Sequence, residues 1–295
     1  MSIETRPLHP TIGALMTGID TRRSQSAAEI AALEAAMDRH AVLVLPDQDI
    51  TDAEQLAFTR NFGPLQEGAN TTLTATTLRL GAAFADVSNL DKDNRRLERD
   101  DRRRMAALGN RLWHSDATFR VVPARYSFLS GRIVTTQGGN TEFADMRAAY
   151  DALDAATKAE IEPLVCEHSL IYSRGQLGFT DFTDEERISM RPVRHRLVRT
   201  HPVTGRKSLL LSAHIGTIVG WPRPEAMAFV RDLMEHATRP EFVYVHRWTR
   251  LDLVIWDNRT TMHRVRRFDD LAIVRDMRRT TTMSEGPTVA GQQAA

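Results

Sequence analysis

The sequence predicts a mainly β fold, a sandwich or jelly roll with flanking helices. Three observations predict it. Short strand patterns recur at close spacing across residues 126–211 and 242–282. Helical patterns are confined to the start of the chain and to insertions, so strands and helices do not alternate as a parallel α/β sheet requires. No Gly-rich phosphate loop follows a strand, which leaves nucleotide chemistry unsupported.

Residues 13–20 read as a short strand. Ser26 and Glu29 form a capping box that opens a helix to about residue 38, with Ile30, Leu33 and Met37 on one stripe. Residues 41–45 are a continuous apolar run closed by Pro46, the pattern of a buried strand. Thr51 and Glu54 make a second capping box, and Gly63 ends the helix it opens. Residues 66–110 hold few large apolar side chains, a threonine-rich patch from Thr71 to Thr77 and a charged stretch. They read as a solvated loop or a lid over a pocket. The interleaved acids favour a solvated Arg102-Arg103-Arg104.

Strands are then expected at 126–134 and 141–146, joined through Gly138-Gly139-Asn140, a turn signal. Two short helical patterns cover 147–164. A strand follows at 165–171, and 173–192 is irregular with a short acidic helix. Residues 197–201 and 207–211 pair around Pro202 to Gly205. Pro224 sits in the first turn of a helix reaching 238. Four strands, at 242–248, 251–257, 262–268 and 275–282, close a single domain spanning 1–295. Within it lie the lid-like loop near 66–110, an insertion near 165–215 and a frayed tail after 285.

At 295 residues the chain is long enough to bury a core without staples. Its net charge of +1 gives no support to a nucleic-acid binder. Cys166 is the only cysteine, so neither an intrachain disulfide nor a cysteine zinc site is available. No apolar run approaches a membrane span and no signal peptide is evident, so a cytoplasmic protein is expected.

Trp113-His114-Ser115-Asp116 carries the candidate chemistry. In extended chain His114 and Asp116 project to one face, so an imidazole and a carboxylate reach one ion. A second imidazole would complete two histidines and a carboxylate, a set that leaves open positions and suits oxygen-activating Fe(II). Ten histidines make one such pair by chance about an even bet, so the pair alone is weak. His263, on a late strand, is the candidate partner, although alone it reads as an ordinary strand histidine. Arg275 and Arg279 share a face if extended. They are either a solvated cationic strand or a carboxylate-binding pair, since buried guanidiniums require counterions.

Taken together, Leu112-Trp-His114-Ser-Asp116, Gly138-Gly-Asn-Thr141-Glu, Trp256-Asp-Asn-Arg259, His263-Arg264, Arg275 and Arg279 resemble the taurine/2,4-dichlorophenoxyacetate dioxygenase family. Pro123-Ala-Arg-Tyr-Ser127, Val198-Arg-Thr-His201 and Glu235-His-Ala-Thr238 resemble its aryloxyacetate branch. The resemblance implies a double-stranded β-helix and an Fe(II)- and 2-oxoglutarate-dependent dioxygenase that also consumes O2. It implies His114, Asp116 and His263 as the catalytic iron ligands. Thr141 and Arg275 would take the far carboxylate of 2-oxoglutarate, and Arg279 the anionic group of the substrate. Asn110 and His214 match substrate-side positions, and Trp256 packs beneath the site.

The implied reaction hydroxylates the carbon between ether and carboxylate of an aryloxyacetate, giving a phenol and glyoxylate with succinate and CO2. Two features depart from the family. One extra residue separates His263 from Arg275, in the turn 269–272, and residues 68–72 lack the His and Tyr that bind taurine. Alternatives are the same chemistry on an alkylsulfonate such as taurine, a sulfate ester or a cinnamate-like acid, or a non-catalytic metal or oxoacid binder. The expected partner is a small anionic aromatic molecule, without nucleic acid or membrane, in a homo-oligomer.

Overall fold

In the computed structural model, which describes residues 2–67 and 79–292, the chain begins with strands β1 (Glu4–Pro7) and β2 (Ala14–Thr17), helix α1 (Ala27–His40), strand β3 (Val42–Leu45) and helix α2 (Asp52–Arg60). Both expected capping boxes form. Ser26 and Thr51 accept from the backbone of Glu29 and Glu54, and each Glu returns the bond. Strands β4 (Ala85–Asp86), β5 (Ala124–Ile133) and β6 (Thr141–Asp145) follow, with helix α3 (Arg102–Ala107) between β4 and β5. The stretch 146–237 supplies helices α4 (Met146–Asp151), α5 (Ala155–Ile161), α6 (Leu170–Gly175), α7 (Asp184–Ser189) and α8 (Arg223–Ala237). It also supplies strands β7 (Val165–His168), β8 (Val193–Arg196), β9 (Val198–Thr200), β10 (Lys207–Leu209) and β11 (Ile215–Ile218). Strands β12 (Val243–His246), β13 (Leu253–Asp257), β14 (Thr261–Val265) and β15 (Asp276–Met283) complete the order.

The larger sheet runs β1-β2-β3-β13-β5-β15-β4, and a smaller one runs β12-β6-β14. Alternation along β3 and β13 explains their unbroken apolar runs. Leu43, Leu45, Leu253 and Ile255 face Leu33, Met37, Phe58 and Phe62 of the helical layer. Val42, Val44, Val254 and Trp256 face the other way, onto Phe143 of β6 and Tyr244 of β12. Both faces of the large sheet are therefore buried, and the two sheets close on one core. This is the expected jelly roll with flanking helices.

Gly138 and Gly139, both in the left-handed region, join β5 to β6 where expected, and the join carries the chain from the large sheet to the small one. Several local expectations are corrected. The strand expected at 165–171 stops at His168, because Ser169 accepts from the Ile171 backbone and caps α6. Arg104 is not solvated: it pairs with Asp270 at 2.9 Å, and its side chain is 11% exposed. Arg102 reaches Glu186 and Asp181, so the triple-arginine segment ties α3 to the insertion. Leu97 and Ala106, inside the lid-like segment, are buried. The threonine-rich patch at 71–77 lies outside the described residues. The tail is fastened as far as Gln292: Glu285 pairs with Arg259, the Thr288 hydroxyl bonds His195, and Gln292 bonds the backbone of Arg194. No helix among the described residues is long and apolar enough to cross a membrane.

Candidate active site

Between α3 and β5 the chain passes through a 3-10 turn, Leu108–Arg111, and then lies against the start of β14. His114 and His263 form an antiparallel bridge there. The His114 amide donates to the His263 carbonyl at 3.0 Å, and the His263 amide returns a bond of 2.8 Å. Opposed residues of such a bridge project to the same side, and the two ring centroids are 4.3 Å apart. One early segment and one late strand thus bring together side chains that sequence separation hides.

Asp116 completes the group. Its Oδ1 lies 3.9 Å from His114 Nε2 and its Oδ2 lies 3.8 Å from His263 Nε2. One ligand atom from each of the three falls within 4.8 Å of the others, and all three side chains are buried. Asp116 is held from several directions. Its amide donates to Asn258 Oδ1, the Ser127 hydroxyl donates to Oδ2 at 2.8 Å, and Arg279 Nη1 donates to Oδ1 at 2.5 Å. Asn258 also accepts from Trp256 Nε1 and donates to Ser127, which explains locally why Trp256-Asp-Asn-Arg259 stands as a block. Trp256 lies beneath the site, its ring 4.7 Å from that of His263.

Protonation favours ligation. Burial lowers the pKa of His114, and burial with the neighbouring His114 ring takes His263 well below its ordinary value. Both imidazoles are therefore neutral near pH 7. The His114 Nδ1 lies 2.8 Å from the Leu112 carbonyl, which can only accept, so Nδ1 carries the proton and Nε2 keeps its lone pair. Burial works against the Asp116 carboxylate, but the Arg279 guanidinium foremost, with the Ser127 hydroxyl, outweighs it and holds the carboxyl below the usual range. Two neutral imidazoles and one carboxylate on one side of a buried space are the donor set that Fe(II) takes with positions to spare. The residues present fit that ion.

The two arginines do not sit together. A register shift between Asp276 and Met277 interrupts the alternation of β15. Arg279 consequently meets Asp116. Arg275 instead enters a neighbouring cavity, lined also by Asn110, Val87, Asn89, Val265 and Phe268. Arg275 is 4% exposed, and its guanidinium reaches only the Val87 carbonyl at 3.4 Å and the Phe268 ring at 5.7 Å. Among the described residues no carboxylate pairs with it, and burial pushes its pKa down to about 10. Thr141 pairs in register with Val265, which lines this cavity, and its hydroxyl accepts from Trp248 Nε1 at 2.9 Å. His214 lies on the metal side, its ring 5.9 Å from that of His114 and 5.1 Å from Phe119.

Residues 4–281 match the family described as taurine catabolism dioxygenase TauD, TfdA. This chain belongs to the TauD/TfdA family of dioxygenases. The chain is 43% identical over 285 residues to the alpha-ketoglutarate-dependent 2,4-dichlorophenoxyacetate dioxygenase of Cupriavidus pinatubonensis, covering 97% of this chain and 99% of that one. It is 38% identical to the (S)-phenoxypropionate/alpha-ketoglutarate-dioxygenase of Sphingobium herbicidovorans, covering 91% of each. The solved structure of AAD-2 in complex with Mn(II) and N-oxalylglycine superposes with a TM-score of 0.91 at 55% identity, covering 99% of this chain and all of that one. Membership in this family makes the protein a 2-oxoglutarate-dependent dioxygenase with Fe(II) as cofactor and O2 as cosubstrate.

Sequence reasoning missed Ser127, Asn258, Trp248 and Arg174 as neighbours of the site. Asn258 carried a signal, its place inside the Trp256 to Arg259 block. Ser127 carried one too, at the end of the Pro123 to Ser127 block, and Arg174 carried none, because an arginine in an irregular stretch is an ordinary surface residue until the fold buries it.

Proposed function

We propose that this enzyme hydroxylates the carbon between the ether oxygen and the carboxylate of an aryloxyacetate such as 2,4-dichlorophenoxyacetate, in the cytoplasm. Oxygen inserted there gives a hemiacetal, which breaks into a phenol and glyoxylate, while 2-oxoglutarate leaves as succinate and CO2. The observation that carries the reading is the near full-length likeness to the Cupriavidus enzyme, joined to a guanidinium on the metal face that suits an anionic substrate.

In this reading His114, Asp116 and His263 hold iron, which supplies the oxidising chemistry when bound with 2-oxoglutarate and O2. Ser127, Asn258 and the Leu112 carbonyl fix the ligand side chains, so little reorganises on metal binding. Arg275 and the Thr141 hydroxyl receive the far carboxylate of 2-oxoglutarate, and burial makes that pairing strong. Arg279 anchors the acid end of the substrate, which turns the methylene rather than the ring toward the metal. Asn110 and His214 border the substrate. Phe119, packed edge-on against His214, helps exclude water.

The test follows phenol release from 2,4-dichlorophenoxyacetate with Fe(II), 2-oxoglutarate and O2, omitting each in turn. Phenol should appear only in the complete mixture, matched by succinate. Succinate formation with an alkylsulfonate or sulfate ester, and none with any aryloxyacetate or phenoxypropionate, would refute the substrate class and leave the family assignment standing.

A further inference from the structure

A second guanidinium at the metal side has no task in the reading above. Arg174, on α6, is only 8% exposed. Its Nη1 donates to the Ser173 hydroxyl at 3.1 Å, while its Nε finds no acceptor. No carboxylate pairs with it among the described residues. Of the other buried arginines, Arg147 pairs with Asp145 and Arg259 with Asp257, and Arg275, also without a carboxylate, has the far carboxylate of 2-oxoglutarate as its partner in the reading above. Arg174 is also closely seated. A methyl group on Gly109 would come within 2.5 Å of its Cζ, so the guanidinium lies on bare backbone just ahead of Asn110 and the metal ligands.

Its surroundings point to the substrate. Ser173 links it to His214 Nδ1 at 3.0 Å, and its charge acts on His114 and His214. The positive charge of Arg279 lies near enough to repel it. Burial and that like charge push the guanidinium down to about 10. Arg279 has Asp116 as counterion, whereas Arg174 has none. A buried cation without a counterion is costly, and a carboxylate seated between the two arginines relieves both the burial and the repulsion.

We propose that Arg174 and Arg279 together clamp the carboxylate of the substrate, and that Arg174 sets the preference for acids over uncharged aryl ethers. This rests on the aryloxyacetate reading above. Arg174 belongs to the insertion, so the clamp joins the jelly roll to a segment outside it and fixes the acid end at two points. Forked donors on both sides of one carboxylate also define its plane, which aims the adjoining methylene.

The test measures binding, by calorimetry, to protein loaded with Mn(II) and N-oxalylglycine. The probes are 2,4-dichlorophenoxyacetate and its neutral amide. Arg174→Met should weaken the acid at least about tenfold, the order expected when a charge-assisted bond is lost, and leave the amide unchanged. Arg174→Lys should restore part of the loss. Gly109→Ala keeps the charge but displaces the guanidinium, and should weaken the acid selectively as well. Equal losses for acid and amide would show a packing role and overturn the proposal, as would unchanged acid binding in Arg174→Met. A loss confined to N-oxalylglycine would assign Arg174 to the cosubstrate and overturn it too. If the unaltered enzyme neither binds nor turns over any aryloxyacetate, the substrate reading itself fails, and the variants separate that result from failure of the clamp.

Discussion

Replacing Arg275 should give effects of opposite sign on ligand binding and on the stability of the empty protein. The side chain is buried, bonded weakly to one carbonyl and paired with no carboxylate among the described residues. Burial pushes its pKa down to about 10, which corresponds to about 3 kcal/mol held against the charged form. Removing that charge in Arg275→Met should therefore leave the ligand-free protein as stable as the parent, or more stable by about 1–3 kcal/mol. The bound state behaves in the opposite way. Breaking a buried ion pair by removing one partner costs about 3–5 kcal/mol, so the affinity for 2-oxoglutarate or N-oxalylglycine should fall by about two to four orders of magnitude. Thermal unfolding with Mn(II) and N-oxalylglycine reads both quantities. At a concentration about 100 times the parent dissociation constant, the parent gains about 2.7 kcal/mol. At the same concentration the variant should gain about 0.4 kcal/mol or less. A variant that is much less stable when empty, yet keeps the full ligand-induced gain, would refute the argument that Arg275 is a cation awaiting a carboxylate.

Three further outcomes are expected. Asp116→Ala or His263→Ala should weaken Mn(II) binding, measured by calorimetry, by about two orders of magnitude or more, and near-parent affinity would remove the metal assignment. Arg279→Ala should uncouple the enzyme, so that succinate continues to form while phenol falls by about tenfold or more; matched succinate and phenol would place the anchoring elsewhere. His195, bonded to Thr288 and to the Arg120 carbonyl, is lowered by burial from 6.5 to about 4. Between those values the unfolded chain binds a proton that the folded one refuses, so stability falls as pH drops from about 6.5 and levels off below about 4, a loss of up to about 3 kcal/mol. Unfolding of the metal-free protein across this window should show a shallower slope in His195→Gln, the remaining slope including His168, His114, His214 and His263, which burial also lowers; an unchanged slope would exclude His195 as a source.

Local order was legible in the sequence wherever one short segment contains its own reason. Both capping boxes, the buried run at 42–45 and the pairing of β9 with β10 follow from side chains within a few residues of one another. The limits of that reasoning are equally physical. Arg102 to Arg104 look solvated because acids lie beside them in sequence, yet Asp181, Glu186 and Asp270, distant in the chain, are what pair two of them. Arg275 and Arg279 look like one pair because strand alternation is assumed, and a register shift just after Arg275 sends them to different neighbours.

The sequence by itself determined the donor types and the class of fold: two imidazoles and a carboxylate in a β-rich chain with helices at its start and in its insertions. Only the tertiary structure decided how these donors are held and which cations stand unanswered. Convergence of His114 and His263 depends on two backbone bonds between segments that share no local pattern, and the electrostatic state of Arg174, Arg275 and Arg279 depends on burial and on which carboxylates come near. Periodicity reports which side of an element a residue occupies, whereas the energy of a charge depends on what the rest of the chain packs around it.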